Sequence, residues 1–290
     1  MSIRSKYDLD LVKEYKRSPL PPAPDNAHKI LSKELIGIEV EIENTRVEKN
    51  IHDVWMIKND NSLRNNGHEF VTYPIRACDA PACLHNLLEE GLSKDCCFSL
   101  RTSVHIHLNC QEMELVDVQN LILLYSLFEK LFYRFAGRGR HKNIYCVPIT
   151  ETSQLLGLVA KQGPNGDWEK YTGLNAKTLT SYGTLEFRHM HGTFDVNKLS
   201  IWISLITLLQ EYVMKQGNKA IRETLRQLNI KFDYYGLLFQ IFGDKVEYLK
   251  FQGFSDVEFE HLIVKSALFS GTSVRDLRNA RNAEFPFYKF

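Results

Sequence analysis

Four stretches of the chain alternate apolar and polar residues with period two, and two longer stretches repeat apolar residues at helical spacing. The first alternation is Gly37-Ile38-Glu39-Val40-Glu41-Ile42-Glu43, which predicts a strand. Ile38, Val40 and Ile42 share one face and Glu39, Glu41 and Glu43 the other. Same-face neighbours on a strand lie roughly 6.5–7 Å apart, so three carboxylates at this pitch repel unless water screens them or cations neutralise them. A second strand is predicted over 67–74, with Glu69 and Val71 opposite Phe70, after turn chemistry at Asp60-Asn61-Ser62. The third runs from Thr102 to Asn109, with Val104, Ile106 and Leu108 against Ser103, His105, His107 and Asn109. The fourth, Gly183 to His191, sets Leu185 and Phe187 against Glu186 and Arg188.

Apolar residues at 115, 118, 121, 122, 125, 128, 131, 132 and 135 mark one helix, and core packing explains that stripe. A nearly all-apolar helix is predicted over 196–216, capped by Asp195 and ended by Gly217. A shorter helix is expected after Asp79, with Pro81 in its first turn and Gly91 near its end. Four prolines between Pro19 and Pro24 favour an extended arm within residues 1–30. Residues 218–290 are helical in tone, with capping-box spacing at Ser255 and Glu258, and read as an appendage to a body spanning 31–217. Each strand has one oily face, so the expected architecture is α+β: an antiparallel sheet whose apolar side is covered by the two long helices.

Composition adds exclusions. The formal net charge of +1 gives no electrostatic reason to expect nucleic acid or an anionic membrane as partner. The most apolar run, Leu199 to Met214, is broken by Ser204, Gln210 and Glu211, and Met1 to Lys6 lacks the apolar core of a signal peptide. Six cysteines form no CxxC pair, so free thiols and a cytoplasmic location are the expectation.

The polar faces carry the candidate chemistry. Assembled in one sheet, they would gather Glu39, Glu41, Glu43, Glu69, His105, His107, Glu186 and Arg188 on one surface. Carboxylates outnumber imidazoles and no thiol takes part, a donor set suited to Mg²⁺, with Mn²⁺ as the alternative, rather than to zinc or copper. Magnesium binds through a few carboxylates together with substrate phosphates, which points to a nucleotide. Neither a GxxxxGK[ST] loop nor a GxGxxG turn after a strand is present, so metal and arginine would have to hold it. Arg188, Arg101, Arg138 and Arg140 are the candidate phosphate contacts. Taken singly, each feature has an ordinary reading as well: a solvated strand face for the glutamates and histidines, a structural ion pair for Glu186 and Arg188, and a solvated turn for residues 138–142.

The order of these motifs resembles the glutamine synthetase and glutamate–cysteine ligase superfamily of carboxylate–amine ligases, and within it the amidoligase family. The residues concerned are Gly37/Glu39/Glu41, Asp60/Ser62 with Gly67/Glu69, His105/His107, Arg138 to Arg140 with Tyr145-Cys146-Val147-Pro148, Gly173-Leu174-Asn175, and Gly183-Thr184-Leu185-Glu186-Phe187-Arg188. The resemblance spans about residues 35–215. It departs at Ser103, where the family often has glycine, and at Asn61, the middle residue of a common Asp-Gly-Ser.

What the resemblance implies is a glutamine synthetase-like sheet and an ATP- and Mg²⁺-dependent ligase that joins a small-molecule or peptide carboxylate to an amine through an acyl phosphate. Glu39, Glu41, Glu69 and Glu186 would be metal ligands, joined by one of His105 and His107 while the other meets phosphate. Arg188 would stabilise the transferred phosphoryl group, and Glu43 would orient the amine. Two rival readings use the same residues: a metal-dependent amide hydrolase, and a non-catalytic interaction module that works through its C-terminal helices. Assembly through the proline-rich arm or those helices is a further expectation.

Overall fold

The computed structural model describes residues 35–46, 51, 53–137, 139–152, 168–231, 233–250, 258, 259 and 263. The proline-rich arm expected over 1–30, Arg138, and the capping box at Ser255 and Glu258 (whose Ser255 is not described) therefore fall wholly or partly outside the described residues. The fold is mixed α+β, built on a seven-stranded antiparallel sheet. Its strands are β1 (Leu35–Ile42), β2 (Trp55–Asn59), β3 (His68–Thr72), β4 (Ile75–Arg76), β5 (Ser103–Asn109), β6 (Leu174–Asn175) and β7 (Thr184–His191). The order across the sheet is β2-β3-β1-β5-β7-β6, with β4 paired to one end of β1. All four predicted alternations are strands of this one sheet. β2 and β6 were not expected, because Trp55-Met56-Ile57-Lys58-Asn59 does not alternate cleanly and Leu174-Asn175 is only two residues long.

The helices are α1 (Ala80–His85), α2 (Leu115–Ala136), α3 (Thr178–Ser181), α4 (Val196–Lys231), α5 (Tyr234–Phe242) and α6 (Val246–Leu249). α2 starts with a reciprocal capping box between Glu114 and Asp117, which satisfies two orphan N–H groups of its first turn. α1 starts at the expected place but by other means. Asp79 does not cap it; its carboxylate is taken by Arg76, Nε to Oδ2 at 2.6 Å and Nη2 to Oδ1 at 3.0 Å. Asp195 does cap α4, accepting from the Lys198 N–H at 2.9 Å. Gly217 (φ 69°, ψ 166°) breaks that helix where the sequence placed its end, and a second helical run continues to Lys231.

Ile36, Ile38, Val40 and Ile42 of β1, with Val104, Ile106 and Leu108 of β5 and Leu185 and Phe187 of β7, form the sheet's contribution to one core. Fully burying such a side chain contributes roughly 1.5–3 kcal/mol. α2 and α4 cover this face. Tyr125 of α2 meets the Phe187 ring edge-on at 5.8 Å, and Phe132 meets Trp202 of α4 at 5.6 Å. The described part of the expected C-terminal extension is helical. Leu237, Leu238, Ile241, Phe242, Val246 and Leu249 belong to the same core, and Phe242 packs on Phe132.

β7 departs from simple alternation. Ile106 pairs with Phe187 and Val104 with Met190, so Arg188 and His189 together oppose the single residue His105. This bulge keeps Arg188 on the polar face while His189 and Met190 turn into the core, both fully buried. The carbonyls of Arg188 and His189 are instead satisfied by Arg140, whose Nη2 and Nε donate to them at 2.8 and 2.6 Å. Arg140 is therefore corrected from phosphate contact to structural clamp: it is buried, its fork is spent on main-chain oxygens, and it does not line the cavity described below. The loop that carries it is held from the other end by Glu129. That buried carboxylate accepts from the N–H groups of Ile149 and Thr150, the Thr150 hydroxyl and the Tyr125 hydroxyl.

Replacing Arg140 by Met leaves two buried carbonyls without donors, each worth about 1–3 kcal/mol, so urea denaturation should show a loss of roughly 2–6 kcal/mol. Arg140→Lys should recover only part of it, since an ammonium cannot reproduce the planar fork; a wild-type midpoint for the Met variant would refute the clamp.

Candidate functional site

The polar face of the sheet opens into a cavity of about 400 Å³. Glu39, Glu41, Glu69, His105, His107, Glu186, Arg188 and Arg101 all line it. Strand register accounts for the convergence. Glu41 lies opposite Glu69 across the β1–β3 ladder, Glu39 opposite His105 across β1–β5, and His107 opposite Glu186 across β5–β7. Side chains directly opposite in a ladder share a face, so residues scattered over 150 positions meet within a few ångströms. The 39-41 and 105-107 pairs each project two groups from one strand because the side-chain period is two.

Glu43 does not join them. It lies one residue beyond β1, bridges to Cys97, is buried, and accepts from the Arg64 N–H at 3.0 Å. It holds the turn before β3 and is withdrawn as the group that orients the amine. Arg138 lies outside the described residues. The structure adds groups that the sequence reading left out of the site: Asp60 and Lys58 from the β2 side, Asn175 of β6, and Lys170, Lys177, Tyr145, Tyr171 and Tyr182 around the opening. Asp60 carried a readable signal, since it stands in the turn motif matched to the family. Asn175 likewise stands in the Gly173-Leu174-Asn175 motif, whereas Lys58 lies on a strand too irregular to predict.

Three overlapping groups each place ligand atoms within 4.8 Å of one another: Glu39, His107 and Glu186; Glu39, Glu69 and His105; and Glu41, Asp60 and Glu69. Hydrogen bonding on the far side of each imidazole fixes what it presents to these carboxylates. Ser103 gives its N–H and its hydroxyl to Glu41 Oε2, at 2.8 and 2.7 Å. A hydroxyl has one proton, so the Ser103 oxygen accepts from His105 Nε2, 2.7 Å away. His105 Nδ1 then faces Glu39 at 3.1 Å and Glu186 at 3.3 Å, and only a proton or a cation makes that arrangement favourable. His107 is similar. Its Nδ1 is bonded to the Thr184 hydroxyl at 3.0 Å, while Nε2 is buried, 3.2 Å from Glu39 Oε1, and without a hydrogen bond. An imidazole nitrogen held by its partner and aimed, unsatisfied, into a carboxylate cluster has the environment of a metal ligand.

The protonation equilibria record the same crowding. Burial alone would raise the Glu39 carboxyl, but the His107 charge beside it and the hydrogen bond from His105 hold it well below its usual value. Burial also opposes ionisation of Glu186, and Arg188, then the histidines, outweigh it and lower its pKa. His107 is pushed down by burial and up further by Glu39 and Glu186, ending above its ordinary value. Glu69 has no such help. Burial, then the Glu39 charge, raise it to about 8, with only Lys58 acting against them. The donor set, mostly carboxylate oxygen with imidazole, fits a hard divalent cation such as Mg²⁺ or Mn²⁺.

Arg188 donates to Glu186 and, at 3.4 Å, to the Tyr145 carbonyl, and Asn175 Nδ2 donates to the other Glu186 oxygen at 2.6 Å. The tight approach of β6 needs Gly173, where a Cβ would press against His189 Nε2 and the Tyr133 hydroxyl. A second, mainly apolar cavity of about 530 Å³ adjoins the first and shares Glu39, Lys58, His107, Ser181 and Tyr182 with it. It runs toward the Leu35 end of β1, where Met56, Val71 and Pro74 line it, while Arg101, Ser103 and Arg188 lie at the opposite end.

No protein-family model matches the chain, and no curated protein matches it. Among the described residues, no helix is long and apolar enough to cross a membrane.

Between the ordinary carboxyl value of 4.5 and about 8, Glu69 binds a proton in the folded protein that it releases when unfolded. Folded-state proton excess means that stability falls as pH rises through that window, and the raised His107 acts in the same direction above 6.5. In EDTA, the melting temperature should therefore decline from about pH 5 to 8.5 more steeply than in Glu69→Gln. Adding Mn²⁺ should restore it at the alkaline end, with proton release seen by calorimetry in buffers of different ionisation enthalpy. Parallel pH profiles for the two proteins would contradict the assignment.

Proposed function

We propose that the chain is an ATP-dependent carboxylate–amine ligase of glutamine synthetase-like type, using Mg²⁺ or Mn²⁺. The observation that carries this reading is the buried, unsatisfied His107 Nε2 within three interlocking carboxylate–imidazole groups, beside a buried arginine in one open cavity. Glu39, Glu69 and Glu186 with the two histidines, and Glu41 with Asp60, would hold the cations. When bound, these supply charge that neutralises the phosphates and polarises the bond to the γ-phosphorus.

The chain's own residues then have separable tasks. The apolar cavity would take the base and ribose of the nucleotide, and Glu39 and His107, shared by both cavities, would stand on the side of its phosphates. The acid substrate enters from the opposite end, beside Arg188 and Arg101. Its carboxylate oxygen forms a bond to the γ-phosphorus as the bridging bond to ADP breaks, and ADP leaves with the electron pair. Arg188 faces the transferring group, with a planar guanidinium that burial disfavours but Glu186 keeps charged. The amine nitrogen then attacks the acyl carbon, loses a proton, and expels phosphate. The Arg140 clamp and the Asn175 contact keep Arg188 and Glu186 in place without touching the reacting atoms.

The test is phosphate release from Mg·ATP, screened over acids and amines. Amine-dependent release should fall about 100–1000-fold in Glu39→Gln and in Glu186→Gln, the usual cost of removing one such electrostatic contact. EDTA should abolish it. Amide cleavage without nucleotide would transfer the assignment to a metal-dependent hydrolase; absence of both, with no Mg·ATP binding, would leave an interaction module.

A further inference from the structure

Exposed apolar side chains gather around one opening of the molecule. Eleven large hydrophobic residues are exposed among the described residues, and five of these are Leu100, Ile144, Tyr145, Tyr171 and Tyr182. The three tyrosines line the mouth of the polar cavity, and Leu100 and Ile144 directly adjoin its lining residues Arg101 and Tyr145. Leu100 is 92% exposed and Ile144 72%. The two loops are tied together, since Asn143 Nδ2 donates to the Leu100 carbonyl at 3.3 Å. Tyr145 and Tyr171 meet edge to face at 5.5 Å. One exposed leucine on a loop needs no explanation. Several large apolar groups brought from separate parts of the chain to the rim of a cavity mark a binding surface.

The charges interleaved with this rim select the partner. Arg101 follows Leu100, Lys170 precedes Tyr171 with its ammonium 5.6 Å from that ring, and Lys177 lines the same cavity. The cavity's acids are turned to one another in the cation-holding groups, so the rim offers positive charge and apolar area together. A free amino acid that sets its carboxylate beside Arg188 lies inside the cavity and covers neither Leu100 nor Ile144, which are outside its lining.

We infer that the acid joined by this ligase is the carboxylate of a polypeptide, an acidic side chain flanked by apolar residues that pack on Leu100 and Ile144. The inference rests on the ligase reading for the reaction, but the surface itself can be tested without turnover. Tyr145 and Tyr171 form the passage through which the carboxylate reaches Arg188, and Arg101 and Lys170 guide it in.

The experiment uses the full chain with Mg·ATP and three fluorescein-labelled probes read by anisotropy: Leu-Leu-Glu-Leu-Phe, the same peptide with Gln for Glu, and Gly-Ser-Glu-Ser-Gly. The first should bind at least about tenfold more tightly than either other, the gain expected from burying one apolar side chain or engaging one charge. The double variant Leu100→Ser, Ile144→Ser should lose this preference. It changes only exposed side chains, and its handling of the Gly/Ser peptide should not change. Equal binding of all three probes, or a preference that survives the double variant, would overturn the inference. So would wild-type self-association that the double variant abolishes, because a second copy would then be the occupant. ADP release is measured beside binding. Release with free glutamate or aspartate as good as with the apolar peptide defeats the inference and spares the ligase; peptide binding without amine-dependent release defeats the ligase and spares the surface.

Discussion

Five carboxylates, Glu39, Glu41, Asp60, Glu69 and Glu186, share one small cavity on one side of one sheet. At an effective dielectric of about 20, two unit charges about 5 Å apart repel by roughly 3 kcal/mol, so several such pairs rival the net stability of a domain. The fold exists only with compensating positive charge, and every neighbouring group bears on that need. Arg188 answers Glu186, His105 and His107 answer Glu39, Ser103 gives two hydrogen bonds to Glu41, and Glu69 keeps a proton to about pH 8. Those remedies are partial, because both histidines turn a ring nitrogen toward carboxylates that a neutral imidazole cannot satisfy. Divalent cations held by the three overlapping groups of the site would supply the positive charge still missing.

The rest of the molecule pins this arrangement. A bulge in β7 lets Arg188 stay with Glu186 on the polar face while the next two residues pack into the core. The bulge leaves two carbonyls outside the ladder, and Arg140 takes both. The loop bearing Arg140 is held in turn by Glu129, a carboxyl pushed up by burial and drawn back down by its donors from Thr150. The site's position thus depends on buried polar contacts on the helical side of the sheet, where Arg140, Tyr125, Ile149 and Thr150 each donate to a defined acceptor. Such networks fix one arrangement strongly when complete.

Much of this was legible in the sequence, for a physical reason: a two-faced strand must alternate, and Glu39, Glu41, His105, His107, Glu186 and Arg188 stand out on the wrong side of clear apolar rows. The two long helices and the break at Gly217 follow from equally strong periodic signals. Glu43 was misjudged because it continues the alternation past the point where β1 ends, and strand ends leave no mark in the pattern. Arg140 was misjudged because a basic loop looks the same whether its arginine meets solvent, phosphate or a buried carbonyl; the bulge that claims it depends on cross-strand register, which no single segment encodes. Ser103 has a use that only the register reveals, since its hydroxyl joins Glu41 to His105. β2 brings Lys58 to the site from a segment with too little pattern to read, and Asn175 was legible only as part of a short motif, not as a strand.

The contact between Arg188 and Glu186 ties the electrostatics to the chemistry. With no cation present, Glu186 absorbs much of the Arg188 charge, and the guanidinium has correspondingly little field to offer a ligand. Glu186 is also held by Asn175, so it cannot swing away; it can only divide its two oxygens among Arg188, Asn175 and a cation. Whatever share a cation takes weakens the pull of Glu186 on Arg188 and frees its positive charge for the cavity. On the ligase reading, the arginine that faces the transferring phosphoryl group gains strength when the metal groups are filled, so nucleotide phosphate meets its full charge only in a loaded site. The short spacing of Glu186 and Arg188 on one strand face builds that dependence into the sheet itself.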